Sequence, residues 1–178
     1  MNLFEIDESW TLFLDRDGVI NRRLMGDYVK SLDEFEILPG VLGAIKNFSK
    51  KFGRIVIVTN QQGIGKGLMT TEDLNAVHQY FQSKVIENEG RIDAFYHAPN
   101  LAAENSDLRK PNIGMAHLAK TDFPEIDFSK SIMVGDSVSD MEFGKNAGMK
   151  CVFISEDKKH EIADLCINKL ADLPSYLS

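Results

Sequence analysis

Apolar positions along this chain switch between two periods. Thr11-Leu12-Phe13-Leu14, Ile55-Val56-Ile57-Val58 within residues 54–59, residues 92–97, Ser131-Ile132-Met133-Val134 and Cys151-Val152-Phe153-Ile154 are short, nearly continuous apolar runs. Runs of this kind read as strands buried on both faces of a sheet. Between them, apolar residues recur at helical spacing. Val41, Leu42, Ile45 and Phe48 predict a helix over 41–52, introduced by Pro39-Gly40. Leu74, Val77, His78, Phe81 and Val85 predict another, from Thr70 or Thr71 to about Asn88, with Glu72 and Asp73 in its first turn. A third helix is expected from Pro111 to near Phe123, and a fourth from Val138 to Ala147, stopped by Gly148. Residues 61–68 read as a glycine-rich loop and 99–110 as a polar one. The tail from Lys158 to Ser178 reads as short helices around a brief strand at Ile167.

Strands alternating with helices predict an α/β, Rossmann-like fold of three layers, with a central parallel sheet covered on both faces. The length of 178 residues suits a single domain spanning 1–178. Residues 19–38 have room only for a small β-hairpin flap, with Tyr28-Val29 and Phe35-Glu36-Ile37 as its strands, so no large cap domain is expected. Cys151 and Cys166 make no disulfide framework. The N-terminus lacks the basic start and apolar core of a signal peptide. No apolar stretch approaches the ~20 residues of a membrane helix. These features predict a cytoplasmic protein with no membrane partner. The net charge of −7 disfavours a nucleic-acid partner. Nothing in the pattern addresses oligomeric state.

In parallel α/β sheets, ligands bind beyond the carboxyl ends of the strands. Asp15-Arg16-Asp17-Gly18 follows the first strand and Thr59-Asn60 the second. A loop after the third strand leads to Arg109-Lys110-Pro111, and Asp136 to Asp140 follow the fourth strand. Taken singly, each has an ordinary explanation as a turn, a helix cap or a solvated charge. Their joint placement on one edge is what chance explains poorly. Asp15, Asp17 and Asp136, with Asp140 nearby, would repel one another without a cation, and oxygen ligands alone suit Mg2+. A rigidly held Asp15 can attack phosphorus, and Asp17 can protonate the leaving oxygen and then activate water. Thr59 and Lys110 would hold phosphate oxygens, and Asp140 would orient Lys110 or a metal-bound water. These roles imply an enzyme, a phosphatase, acting on a small phosphorylated molecule.

The four segments resemble, in order, the four motifs of the haloacid dehalogenase superfamily of phosphatases, over residues 11–154. Phe13-Leu14-Asp15-Arg16-Asp17-Gly18-Val19-Ile20-Asn21, Val58-Thr59-Asn60-Gln61-Gln62-Gly63-Ile64-Gly65 and Arg109-Lys110-Pro111 are similar to two of its families. These are the D-glycero-D-manno-heptose 1,7-bisphosphate 7-phosphatases and the histidinol-phosphate phosphatases. The resemblance implies Asp15 as nucleophile, Asp17 as acid/base, and Thr59 and Lys110 as phosphate ligands. It implies Mg2+ on Asp15, the Asp17 carbonyl and Asp136. It also places Asn60 and Arg109 as substrate-binding residues. The leading substrate is the heptose bisphosphate, with histidinol phosphate or another sugar phosphate as alternatives. One departure is plain. Relatives usually carry a zinc loop of cysteines and a histidine before the Arg-Lys-Pro segment, whereas residues 96–108 hold no cysteine and only His97, so no structural zinc is expected.

Two other classes fit less well. A receiver-type phospho-acceptor module would carry its acceptor aspartate after the third strand, where none occurs before Asp107. A nucleotide-binding kinase loop needs G-x-x-x-x-G-K-[ST], and Gly67 stands where the hydroxyl residue would be. Arg22, Arg23, Lys66 and Arg109 predict a basic rim that favours an anionic substrate.

Overall fold

The computed structural model describes residues 3–156 and 160–178. Six parallel strands form one sheet in the order β3-β2-β1-β4-β5-β6. They are β1 (Thr11–Leu14), β2 (Arg54–Asn60), β3 (Ala94–Ala98), β4 (Ser131–Gly135), β5 (Lys150–Ile154) and β6 (Leu165–Ile167). The helices are α1 (Val41–Phe48), α2 (Gln62–Gly65), α3 (Thr71–Glu87), α4 (Gly114–Asp122) and α5 (Val138–Ala147).

The alternation of side chains along each strand builds the three layers. Leu12, Leu14, Ile55, Ile57, Ile132 and Val134 face one core, shared with Val41, Ile45 and Phe48 of α1, Val77, Phe81 and Val85 of α3, and Leu170 and Leu173 of the C-terminal 3-10 segment. Phe13, Val56, Val58 and Met133 face the other, shared with Met115, Ala116 and Ala119 of α4 and Phe143 of α5. A strand buried on both faces needs apolar residues at every position, which is why these runs are continuous rather than alternating. In α3, the Thr70 hydroxyl accepts from Asp73 N while the Asp73 carboxylate accepts from Thr70 N, a reciprocal cap that fixes the predicted start.

Chain order and spatial order part company at β1. The chain steps outward through β2 and β3, then returns to place β4 on the other side of β1. Such a reversal opens a crevice at the carboxyl ends of the two central strands. Leu14 pairs in register with both Ile57 and Val134, so the segments after β1 and β4 leave the sheet at one level, while β2 runs on through Thr59 and Asn60 beside β3.

Three expectations are corrected. The flap is not a hairpin of Tyr28-Val29 with Phe35–Ile37. Residues 20–22 pair antiparallel with 36–38 instead: Leu38 N donates to Ile20 O and Arg22 N to Glu36 O (both 2.9 Å), with a 3-10 turn at Leu32–Glu34 between them. Residues 61–68, read as loop, include the short α2. The helix expected from Pro111 starts at Gly114, because residues 109–112 close a turn from Asn112 N to Arg109 O (2.9 Å). Lys158, where the predicted tail begins, lies outside the described residues, as do Met1 and Asn2 of the N-terminal segment. No described helix is long and apolar enough to cross a membrane.

Candidate active site

Asp15 leaves β1 into the crevice. Its N–H extends the ladder to Val134 O (2.9 Å), so the sheet itself orients the side chain. Lys110 reaches the same point from the loop after β3. Its ammonium donates to Asp15 Oδ1 (2.7 Å), Asp140 Oδ1 (2.6 Å) and Val58 O (2.8 Å), and only 3% of the residue is exposed. Burial opposes the ammonium's charge, but Asp140 and Asp15 outweigh it and raise the Lys110 pKa. Asp15 is pushed up to about 7, mainly by burial and then by Asp140, against the pull of Lys110.

Asp140 sits at the third helical position of α5 and closes a capping box with Ser137. Its Oδ2 accepts from Asp136 N (3.2 Å), Ser137 N (3.1 Å) and the Ser137 hydroxyl (2.6 Å). With Oδ1 on Lys110, both oxygens are committed to holding neighbours in place. Gly135 allows this approach, since a Cβ there would stand 2.2 Å from the Asp140 Cβ.

Asp136 is different. Its Oδ2 meets Arg23 Nη1 at 3.0 Å, while its Oδ1 is buried without a partner. Burial, partly offset by Arg23, raises its pKa to about 6. Oxygens of Asp15, Asp136 and Asp140 lie within 4.8 Å of one another. Gly18 brings the main chain following Asp17 against Asp136: its φ is +88°, and a Cβ would fall 2.0 Å from Asp136 Oδ2. An orphaned buried carboxylate oxygen, two carboxylates whose charge is suppressed by burial, and a main chain pressed against them fit a hard divalent cation.

Asp17 does not join that cluster. Its carboxylate turns to Arg16 Nη2 (2.9 and 3.1 Å), Asn21 Nδ2 (2.9 Å) and Gln61 Nε2 (2.9 Å). Burial would raise its pKa, but the Arg16 charge and these hydrogen bonds hold it below the usual carboxylate range. Thr59, buried at the end of β2, accepts from Gln61 Nε2 at 2.8 Å. The Asn60 side chain exchanges two bonds with the Lys110 main chain, Nδ2 to O (3.1 Å) and Oδ1 from N (3.0 Å). The amide thus ties the Lys110 loop to β2. Arg109 lies at the lip with Nη1 on Asn100 O (3.3 Å).

A cleft of about 460 Å³ opens beside these groups, lined among others by Asp17, Arg23, Tyr28, Asn60, Gln61 and Lys66. It is the predicted rim in part. Arg23 and Lys66 line it, Arg109 borders an adjoining hollow with Asn60 and Lys110, and Arg22 instead pairs with Glu36 on the surface. Sequence reasoning missed Arg16, Asn21 and Gln61 as individual residues. Asking what could satisfy a buried Asp17 would have pointed to them, since all three stand within the two segments that flank it.

The family model of the polynucleotide kinase 3 phosphatase matches residues 11–171. A D-glycero-alpha-D-manno-heptose-1,7-bisphosphate 7-phosphatase of Mycobacterium bovis is 42% identical over 138 residues, 78% of this chain and 73% of that one. The chain belongs to the heptose-bisphosphate phosphatase family of the haloacid dehalogenase superfamily. A D-glycero-beta-D-manno-heptose-1,7-bisphosphate 7-phosphatase of Escherichia coli K12 is 34% identical to this phosphatase over 180 residues, covering 93% and 92% of the two chains. The D,D-heptose 1,7-bisphosphate phosphatase of B. bronchiseptica, solved with magnesium and phosphate, superposes with a TM-score of 0.83 at 28% identity, covering 93% of this chain and 96% of that one. The receiver-module reading falls away, because this chain is a phosphatase.

Proposed function

We propose that this phosphatase removes the 7-phosphate of D-glycero-D-manno-heptose 1,7-bisphosphate through an aspartyl-phosphate on Asp15, in a single domain spanning the chain. The observation that carries the substrate is the identity of 34–42% to enzymes named for it, over most of both chains. A cleft with Arg23 and Lys66 on its wall suits a substrate that keeps a second phosphate while the first reacts.

The chemistry proposed for this chain's residues is as follows. Asp15 attacks phosphorus in line with the departing sugar oxygen. Asp17 enters this step in its protonated form and gives that oxygen its proton as the P–O bond breaks. The sugar leaves as an alcohol, and Asp17 returns to the carboxylate that Arg16, Asn21 and Gln61 favour. Asp17 then takes a proton from the water that attacks the acyl phosphate, which frees Asp15 and inorganic phosphate. Lys110 and the Thr59 hydroxyl hold phosphoryl oxygens throughout. Asp15, Asp136 and the Asp17 carbonyl would hold Mg2+, which when bound supplies positive charge against the carboxylates and the phosphoryl oxygens. Asp140 acts through Lys110, and Arg109 and Asn60 border the substrate. The loop before α4 braces itself through contacts such as Asn112 Nδ2 to Ser106 O (3.0 Å) and Gly114 N to Asp107 O (2.9 Å), which supports a reading of the loop without structural zinc.

The test is phosphate release by the purified protein with Mg2+, offered both heptose bisphosphate anomers, histidinol phosphate and common sugar phosphates. The reading expects kcat/KM on one heptose bisphosphate anomer to exceed every other substrate by about 10-fold or more, a difference of roughly 1.4 kcal/mol in transition-state binding. A higher value on histidinol phosphate overturns the substrate assignment.

A further inference from the structure

The amide of Gln61 is the only side chain among the described residues that donates to both Asp17 and Thr59. Its Nε2 sits 2.9 Å from Asp17 Oδ2 and 2.8 Å from Thr59 Oγ1, so each N–H of the amide has one acceptor. Gln61 is itself fixed. It is 1% exposed, and its backbone N–H donates to Ala98 O (2.8 Å), carrying the β2–β3 ladder one step past Asn60. The Thr59 oxygen accepts from this amide, which leaves the hydroxyl proton free to donate elsewhere. On the other side, the amide pulls on one oxygen of a carboxylate whose second oxygen is held by Arg16 and Asn21.

We propose that Gln61 is a positioning residue that locks the proton-transfer carboxylate of Asp17 to the phosphate-holding hydroxyl of Thr59. The span between leaving-group oxygen and phosphoryl group is then set by one buried amide rather than by two independent side chains. This rests on the reading of Asp17 as the group that protonates the leaving oxygen. Arg16 and Asn21 restrain Asp17 from its own segment, whereas Gln61 reaches it from the residue just past the end of β2, the strand that carries Thr59. Loss of the amide therefore leaves Asp17 held by Arg16 and Asn21 but no longer tied to Thr59.

The consequence is a dependence on the leaving group. A sugar alkoxide must be protonated as it departs, while nitrophenolate needs almost no proton. The quantity to compare is kcat/KM, which reports the steps through leaving-group departure and is blind to later hydrolysis of the acyl phosphate. Gln61→Met, close in size and without donors, should lose at least about 10-fold more kcat/KM on an alkyl phosphate such as the sugar phosphate than on nitrophenyl phosphate, a fraction of the ~10²-fold or more that a general acid supplies. Gln61→Glu, of the same shape but with acceptors in place of the amide donors, serves as a second variant above neutral pH and should show the same selective loss. Circular dichroism and thermal melting establish that each variant is folded. Equal losses on the two substrates in both folded variants overturn the proposal, because they mean that Gln61 supports only the phosphate site or the general packing. Asp17→Asn is the reference for the underlying reading. If it loses activity on alkyl and nitrophenyl phosphates equally, Asp17 is not the acid, and the reading beneath the proposal fails. If Asp17→Asn discriminates and the Gln61 variants do not, only the role of Gln61 fails.

Discussion

Replacing Lys110 by methionine keeps the aliphatic stem and removes an ammonium that makes three buried contacts, to Asp15, Asp140 and Val58 O. The two carboxylates are 6% and 1% exposed, so water cannot readily replace the lost charge. Breaking a buried ion pair by removing one partner costs about 3–5 kcal/mol. For a domain of this size each kcal/mol moves Tm by roughly 2–4 °C, so Lys110→Met should melt about 6–20 °C below the parent. The penalty should shrink in acid. Asp15 already titrates at about 7 in the presence of Lys110, and without that charge it rises further. A carboxyl whose folded pKa exceeds the unfolded value of 3.8 costs stability as it ionises. The share of the defect that comes from Asp15 should therefore grow as pH climbs through neutrality and be small near pH ~5, while the lost contacts to Asp140 and Val58 O persist. Adding Asp140→Asn removes one orphaned charge while its oxygen can still accept from Ser137. The double variant should regain about half of the lost stability, a coupling expected of residues in contact. It should not regain turnover, which falls roughly 10²-fold or more with the loss of a preorganised charge at the phosphoryl group. Urea titration of the metal-free proteins at two pH values, with steady-state kinetics in Mg2+, measures both. A Lys110→Met protein within ~0.5 kcal/mol of the parent at pH ~8 would refute the reasoning, because shifts that small belong to surface sites.

Three further outcomes follow from the same geometry. Gly18→Ala places a Cβ against Asp136 at a φ of +88°, and should abolish turnover in a protein that still folds, read by kinetics beside circular dichroism; near-parental activity would mean the Gly18–Asp136 approach is dispensable. Protons compete with metal at Asp15 and Asp136, whose pKa values are raised to about 7 and about 6, so the Tm increment given by Mg2+ should be larger above neutral pH than near pH ~5; an increment independent of pH contradicts the assignment of those two as ligands. Activity should vanish in EDTA and return with Mg2+, and the purified protein should carry well under one equivalent of zinc by atomic absorption; a full equivalent that survives dialysis would overturn the reading of residues 96–108.

Much of the fold is legible because local and global preferences agree. The uninterrupted apolar runs at residues 12–14, 55–58 and 132–134 can be covered only by two layers, and Thr70 with Asp73 marks the start of α3 in the sequence itself. The flap is not legible for a physical reason. Its pairing joins residues 20–22 to 36–38 across a polar excursion, so no short alternating run announces it, and Tyr28 serves instead as a wall of the cleft with its hydroxyl on Gln62 (2.9 Å). In the site, the residues at strand ends could be placed together from topology alone, since one sheet edge collects them. Their supports could not. An arginine reads as surface, yet Arg16 is 1% exposed, held on Asp17 and set over the Phe35 ring at 5.8 Å. The pairing of Asn60 with the Lys110 main chain depends on a contact fifty residues apart in sequence, which no local pattern encodes.

The central claim is covalent chemistry on Asp15, and trapping the intermediate tests it most directly. In Asp17→Asn the nucleophile remains, while the group proposed to activate water is lost. With nitrophenyl phosphate the first step should proceed and the second stall. Rapid acid quench, intact-mass measurement and peptide mapping should then find one phosphoryl group on the peptide carrying Asp15. The Asp15→Asn/Asp17→Asn double variant should carry none, and Asp15→Asn alone should neither turn over nor label. Phosphate mapped to any other residue, or substantial turnover by Asp15→Asn, would contradict the account.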